Sequence, residues 1–191
     1  MKMTIKKTAA FPVKKSKVFE LLQRFDTLAY IAKPYATFES VDGQTEPVWE
    51  VGRSFSFDFK MFGFIPLGVH VINVKEFNPD NIYTNEGNPF CPVWNHRIIL
   101  KETADGKTEY TDEVEIGAGW KTPFVYLWAK VFYSHRQKKW IKLLNKSYDT
   151  ALAFVHRQFE GHLLLLGRIR NGCERKSAVA VEKILLHRSV S

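Results

Sequence analysis

Cysteine is scarce in this chain: Cys91 and Cys173 are the only two in 191 residues, and neither has a C-x-x-C neighbour. That excludes a disulfide-built scaffold and predicts a reducing, cytoplasmic setting. No apolar run approaches the ~18 residues of a membrane-crossing helix. Near the end of the chain the longest such cluster, at 163–166, is four leucines. The opening MKMTIKK carries positive charge with no apolar stretch behind it, so no secretory leader is expected. G-x-S-x-G, Walker and G-x-G-x-x-G sequences are all missing, which leaves hydrolase, NTPase and dinucleotide-binding readings without an anchor. His135, His156, His162 and His187 lack i, i+4 spacing and a nearby carboxylate set, so no metal and no cofactor are expected. Cys91 sits in a proline-flanked loop without a base to activate it as a nucleophile. Internal repeats and low-complexity stretches are absent too.

What is present describes a folded domain. Hydrophobic residues make up 45% and charged residues 25%, an ordinary globular balance. Phenylalanine alone contributes 15 residues, enough to fill a core or to line a large apolar cavity. The net charge is +8, but it is spread out: residues 1–147 carry 21 basic against 16 acidic side chains, and 148–191 carry 7 against 4. The basic clusters are Lys2/Lys6/Lys7, Lys14/Lys15/Lys17 and the stretch 136–146. No aromatic residues interleave them as a base-stacking platform would require, so no specific nucleic-acid partner is expected. They read as solvated faces, open to weak contact with an anionic membrane surface.

Periodicity orders the chain. Residues 4–10 read as a strand ended by Pro12. Ser16 as a cap, followed by Val18, Phe19, Leu21, Leu22 and Phe25, predicts a helix of about three turns. A second short helix over 28–32 stops before Pro34. Strands follow at 38–41, 54–61, 70–77, 82–86, 93–102 and 108–117. In the third strand Phe55, Phe57, Phe59 and Met61 take one face and Ser54, Ser56, Asp58 and Lys60 the other. Gly63, Pro66 and Gly68 are expected to break the chain before the next strand. Ala104-Asp105-Gly106-Lys107 predicts a hairpin turn. Thr122 and Pro123 then open a long helix that runs to about Lys146. Its first half is apolar nearly all round, which predicts burial on every side. The basic second half is expected to emerge into solvent. Residues 148–191, with helical spacing at 151–159 and 178–186, read as a helical extension beyond a domain at 1–147.

The wording of four segments carries a resemblance. FPVKKSKVFELL at 11–22, VKEFNPD at 74–80, GKTEYTDEV at 106–114 and FYSHRQKKWIKLL at 132–144 follow one another in the order and spacing of the START/Bet v 1-like superfamily. This helix-grip class is also called polyketide cyclase/dehydrase-like or SRPBCC. The resemblance covers roughly residues 3–146. It implies an α+β fold: a curved antiparallel sheet of about seven strands gripping a long C-terminal helix, with two short helices after strand 1. It also implies a cavity for a small apolar or amphipathic molecule such as a lipid, polyketide or aromatic compound. It implies no catalytic residue, because the superfamily has no universal one.

Within that frame the inward faces nominate the site. Phe55, Phe57 and Phe59 come from one strand, Trp94 and Ile98 from another, and Phe124, Trp128 and Phe132 from the long helix at i, i+4, i+8. They read either as a filled core or as a pocket lining. His96, Asp112, Tyr110 and His70 are the polar residues on those faces. His96 and Asp112 lie on hairpin partners, close enough to orient a ligand hydroxyl or to exchange a proton. Three readings follow: a ligand-binding protein, a cyclase/dehydrase-type enzyme with His96 and Asp112 as acid–base groups, or an interaction module using the basic surface. Oligomeric state is left open.

Overall fold

The computed structural model describes residues 1–43 and 47–146. The helical extension expected at 148–191 lies outside the described residues. Strand β1 (Met3–Phe11) leads into two short helices, α1 (Lys15–Leu22) and α2 (Phe25–Ala32). Six strands follow: β2 (Ala36–Ser40), β3 (Ser54–Met61), β4 (Ile65–Phe77), β5 (Asn81–Gly87), β6 (Val93–Glu102) and β7 (Thr108–Gly117). A 3-10 turn at Gly119–Lys121 then opens helix α3, residues 122–146. The sheet order is β1-β7-β6-β5-β4-β3-β2, antiparallel throughout. From β2 to β7 each strand pairs with its sequence neighbour. Only β1 is displaced, to the far edge beside β7, so α1 and α2 carry the chain from one sheet edge to the other. Among the described residues no helix is long and apolar enough to cross a membrane.

Alternation explains which side of the sheet is covered. Trp94, His96, Ile98 and Leu100 of β6 are buried, as are Tyr110, Asp112, Val114 and Ile116 of β7. Their register sets His96 opposite Val114 and Ile98 opposite Asp112. His96 and Asp112 are therefore diagonal neighbours on one face, within reach of each other. The β6–β7 turn closes on Gly106 at φ 73°, a left-handed position that suits glycine.

Several expectations need correction. The break expected at Pro66 and Gly68 does not occur, and β4 runs through both. Pairing between β4 and β5 begins only at Val71, so Pro66 faces a ladder partner on one side alone and its missing N–H costs little. Ser16 is not a cap: α1 starts one residue earlier, and its N-cap residue Lys14 makes no side-chain cap bond. The Thr122 hydroxyl turns back to the strand end, accepting from the Ala118 N–H and donating to the Gly119 carbonyl.

Helix α3 differs most. Burial on all sides of its first half is contradicted: Phe124, Leu127 and Val131 are 67%, 61% and 51% exposed, and Trp120 just before the helix is 82% exposed. The helix lies across one face of the sheet, so a single stripe of Val125, Ala129, Phe132 and Tyr133 goes inward. Its second half does not simply emerge, either. Arg136, Gln137, Trp140 and Leu144 are buried, and Trp140 and Leu144 join a core cluster with Phe11, Val18, Leu21, Ile31 and Tyr110. The lysines beside them occupy only the outer face.

Candidate ligand-binding cavity

A cavity of about 630 Å³ lies between the sheet and α3. That volume falls within the range of small-molecule sites. Phe59, His70, Trp94, His96, Ile98, Phe124, Trp128 and Phe132 line it, as expected from the spacing. Trp128 stacks on Phe132 at 5.0 Å between ring centroids, making a flat aromatic wall. At the outer end Phe62, Phe90, Trp120 and Phe124 both line the cavity and face solvent, which marks the mouth.

Four of the nominated residues lie elsewhere. Phe55 and Phe57 belong to a separate cluster with Ile72 and Val74, flanked by Phe25 and Trp49. Phe57 stacks on Phe25 at 5.2 Å, so this pair is filled core. Tyr110 is stacked on Phe11 at 4.7 Å and packs against Trp140. Asp112, wholly buried, stands behind His96 rather than on the cavity wall.

A connected set of polar side chains runs along one side of the cavity. His96 Nε2 meets Asp112 Oδ1 at 2.8 Å. The Tyr110 hydroxyl donates to the same oxygen at 2.9 Å, and Gln137 Nε2 donates to Asp112 Oδ2 at 3.4 Å. On the other side of His96 stands Glu86, its Oε1 4.0 Å from His96 Nδ1. Glu86 Oε2 pairs with His70 Nε2 at 2.9 Å, and the Thr84 hydroxyl donates to Oε1. Burial pushes the Glu86 carboxyl up, but the His70 hydrogen bond and charge, the His96 charge and the Thr84 hydroxyl outweigh it, leaving it below the ordinary value. The Trp94 indole donates to the Tyr133 hydroxyl at 3.2 Å. Burial drives the Tyr110 and Tyr133 phenols well up, so both remain hydroxyls.

Sequence reasoning missed Glu86, Thr84, Tyr133 and Arg136. Glu86 and Thr84 share the alternating inward face of β5 with Ile82, which was the available signal. Arg136 extends the i, i+4 row of Phe124, Trp128 and Phe132, although its basic neighbours group it with the solvated end of the helix. It is 5% exposed and lines the cavity. Burial disfavours its charge, but its surroundings outweigh burial, with the Asp112 and Glu86 carboxylates supplying the opposite charge, and it stays protonated. Cys91 lines the cavity as well, but burial pushes its thiol up and Sγ donates to the Val93 carbonyl at 3.2 Å, which makes it a packing residue. Among the described residues no three His, Cys, Asp or Glu side chains converge as metal ligands.

Comparisons with known proteins agree with this architecture. A family model described as "Domain of unknown function (DUF8410)" matches residues 28–144. No curated protein matches the sequence. Among solved structures, protein CV1439 from Chromobacterium violaceum superposes with a TM-score of 0.58 at 16% identity, over 74% of this chain and 96% of that one. A START superfamily protein from Mycobacterium smegmatis gives 0.57 at 13% identity, covering 75% and 97%. Ara h 8.0201 gives 0.55 at 14% identity, covering 76% and 99%. At these identities the likeness concerns the fold, and the START/Bet v 1-like fold expected from the sequence is borne out.

Proposed function

The chain belongs to the DUF8410 family and has the START/Bet v 1-like fold, and from that premise we propose that residues 1–147 bind a small apolar or amphipathic molecule in the cavity. The observation that carries this reading is an open cavity of about 630 Å³ whose wall is aromatic and aliphatic except for one polar side. A ligand burying ~300 Å² of apolar surface would gain about 7 kcal/mol before ordering costs, which corresponds to micromolar affinity at best. His96, held by Asp112, supplies one of the polar groups on that side. We put binding ahead of cyclase/dehydrase chemistry because Asp112 is wholly buried and already accepts from three donors. Such a carboxylate positions His96 and has no route to a substrate. We place the protein in the cytoplasm, in keeping with the free Cys91 thiol.

The test is a titration with Nile red, a neutral solvatochromic probe. Saturable one-to-one binding with a blue shift is expected. It should be lost in Ile98→Trp and Val125→Trp variants that keep the wild-type circular dichroism spectrum, since both residues line the cavity. Absence of saturable binding to the wild type overturns the reading.

A second reading concerns delivery. The apolar row Trp120, Phe124, Leu127 and Val131 is exposed beside the mouth, and Lys138 and Lys142 continue the same exposed face of α3. Apolar rim and cationic flank together match an anionic bilayer surface. We propose weak docking on such a surface. Vesicles rich in phosphatidylglycerol should sediment the protein at low salt, and Phe124→Glu should abolish this. No sedimentation at low salt removes the reading.

A further inference from the structure

Four buried side-chain nitrogens have no hydrogen-bond partner among the described residues: the indole N–H groups of Trp49, Trp128 and Trp140, and Nε of Arg136. All four residues line the cavity, and all four groups are donors. The nearby carboxylates all have partners. Glu86 receives His70 and Thr84 on its two oxygens, and Asp112 receives His96, Tyr110 and Gln137. Among the described residues, the buried side-chain polar atoms that have no partner at all are therefore donors.

Arg136 is the centre of that surplus. No ion pair or hydrogen bond reaches its guanidinium among the described residues: the Asp112 and Glu86 carboxylates act on it through charge without touching it, and the faces of Tyr133 and Phe132 lie with ring centroids 5.0 and 5.6 Å from the guanidinium carbon. A buried guanidinium is a fixed charge with five donors in a planar fork, and leaving it unpaired in an apolar surround is costly. Two aromatic faces lower that cost without using the donors. The group that would use them is a planar oxyanion, which accepts two parallel N–H bonds at once.

We infer that the ligand is an apolar carboxylic acid, with its hydrocarbon or aromatic body against the Trp128–Phe132 wall and its carboxylate on Arg136. This deepens the cavity-binding reading above and rests on it. A neutral ligand would leave the guanidinium without a charged hydrogen-bond partner, whereas a carboxylate supplies one in direct contact.

The test compares acid with ester. Binding of 1-pyrenebutyric acid and its methyl ester, and of cis-parinaric acid and its methyl ester, is followed by probe fluorescence at neutral pH. The two members of each pair share their apolar body and differ at the head group. With wild-type protein the acid should bind about tenfold tighter or more, the discrimination of a charge-assisted hydrogen bond. Arg136→Met should bring the ratio to about one by weakening the acid alone, and Arg136→Lys should keep part of it. A wild-type acid-to-ester ratio near one overturns the inference while the cavity reading stands, and this arm requires no variant to fold. If neither acid nor ester binds while Nile red does, the inference falls alone. If no probe binds at all, the cavity reading fails and takes the inference with it.

Discussion

Removing the Asp112 carboxylate should damage the fold far more than its single position suggests. The side chain is wholly buried and collects His96 at 2.8 Å, Tyr110 at 2.9 Å and Gln137 at 3.4 Å. These donors arrive from three places: the neighbouring strand β6, two residues away along β7, and helix α3. Asp112→Ala removes the acceptor from all three; Gln137 keeps the Lys7 carbonyl at 2.9 Å, while His96 and Tyr110 lose their carboxylate in a buried surround. Losing one partner of a buried charged network typically costs about 3–5 kcal/mol. With a urea dependence of ~2 kcal/mol per molar for a domain of this size, the unfolding midpoint should fall by ~1.5–2.5 M. Asp112→Asn keeps the shape but must turn an N–H₂ group towards Gln137 or towards His96 and Tyr110, so a loss of about 1–3 kcal/mol is expected. Asp112 and His96 should also couple: the Asp112→Ala/His96→Ala double variant should lose less than the sum of the single losses. Urea unfolding monitored by circular dichroism measures all of these. An Asp112→Ala protein within ~1 kcal/mol of wild type, where surface substitutions fall, would refute the view that this carboxylate ties sheet to helix.

Two further substitutions test other parts of the structure. A Cβ added at Gly87 would lie 2.5 Å from the Pro92 carbonyl oxygen, a backbone atom that cannot swing away. Gly87→Ala should cost ~2 kcal/mol and lower the melting temperature by about 4–8 °C, and a melt unchanged from wild type would contradict the packing described there. The Glu86 carboxyl titrates below its ordinary value of 4.5 in the folded protein. Its contribution to stability is thus fully present above the unfolded-state value and is lost as pH falls through the lower folded-state value. Denaturation across the acid range should show wild type losing more stability than Glu86→Gln, and parallel curves would refute the His70–Glu86 pairing.

Much of the sheet was legible from alternation, because one face of each antiparallel strand is buried and the period of two survives in the residue types. The diagonal approach of His96 and Asp112 followed from the hairpin turn at 104–107, since a turn fixes its strands' register. The passage of β4 over Pro66 and Gly68 was illegible, as the penalty for proline depends on whether a strand pairs on its N–H side. Helix α3 was misread at both ends for a related reason. Counting apolar residues in a window does not say which stripe meets the sheet, so Phe124 and Leu127 looked as buried as Val125 and Phe132. Among the lysines of the second half, Trp140 and Leu144 continue the inward row and were the sign that the helix stays packed. Arg136 belongs to that row as well, but a single arginine in a basic stretch gives no indication that it is buried. Glu86 was hidden in the same way, between Asn85 and Gly87, where only the two-residue period from Ile82 and Thr84 marked its side chain as inward.

Ligand binding requires that the space beneath α3 admit a molecule. Native mass spectrometry of the full chain mixed with Nile red tests this directly, with Ile98→Trp as the plugged control. The account predicts a one-to-one adduct on the wild type that leaves on denaturation and is missing from the plugged variant. A wild type that carries no adduct, or a plugged variant that carries as much, would contradict it.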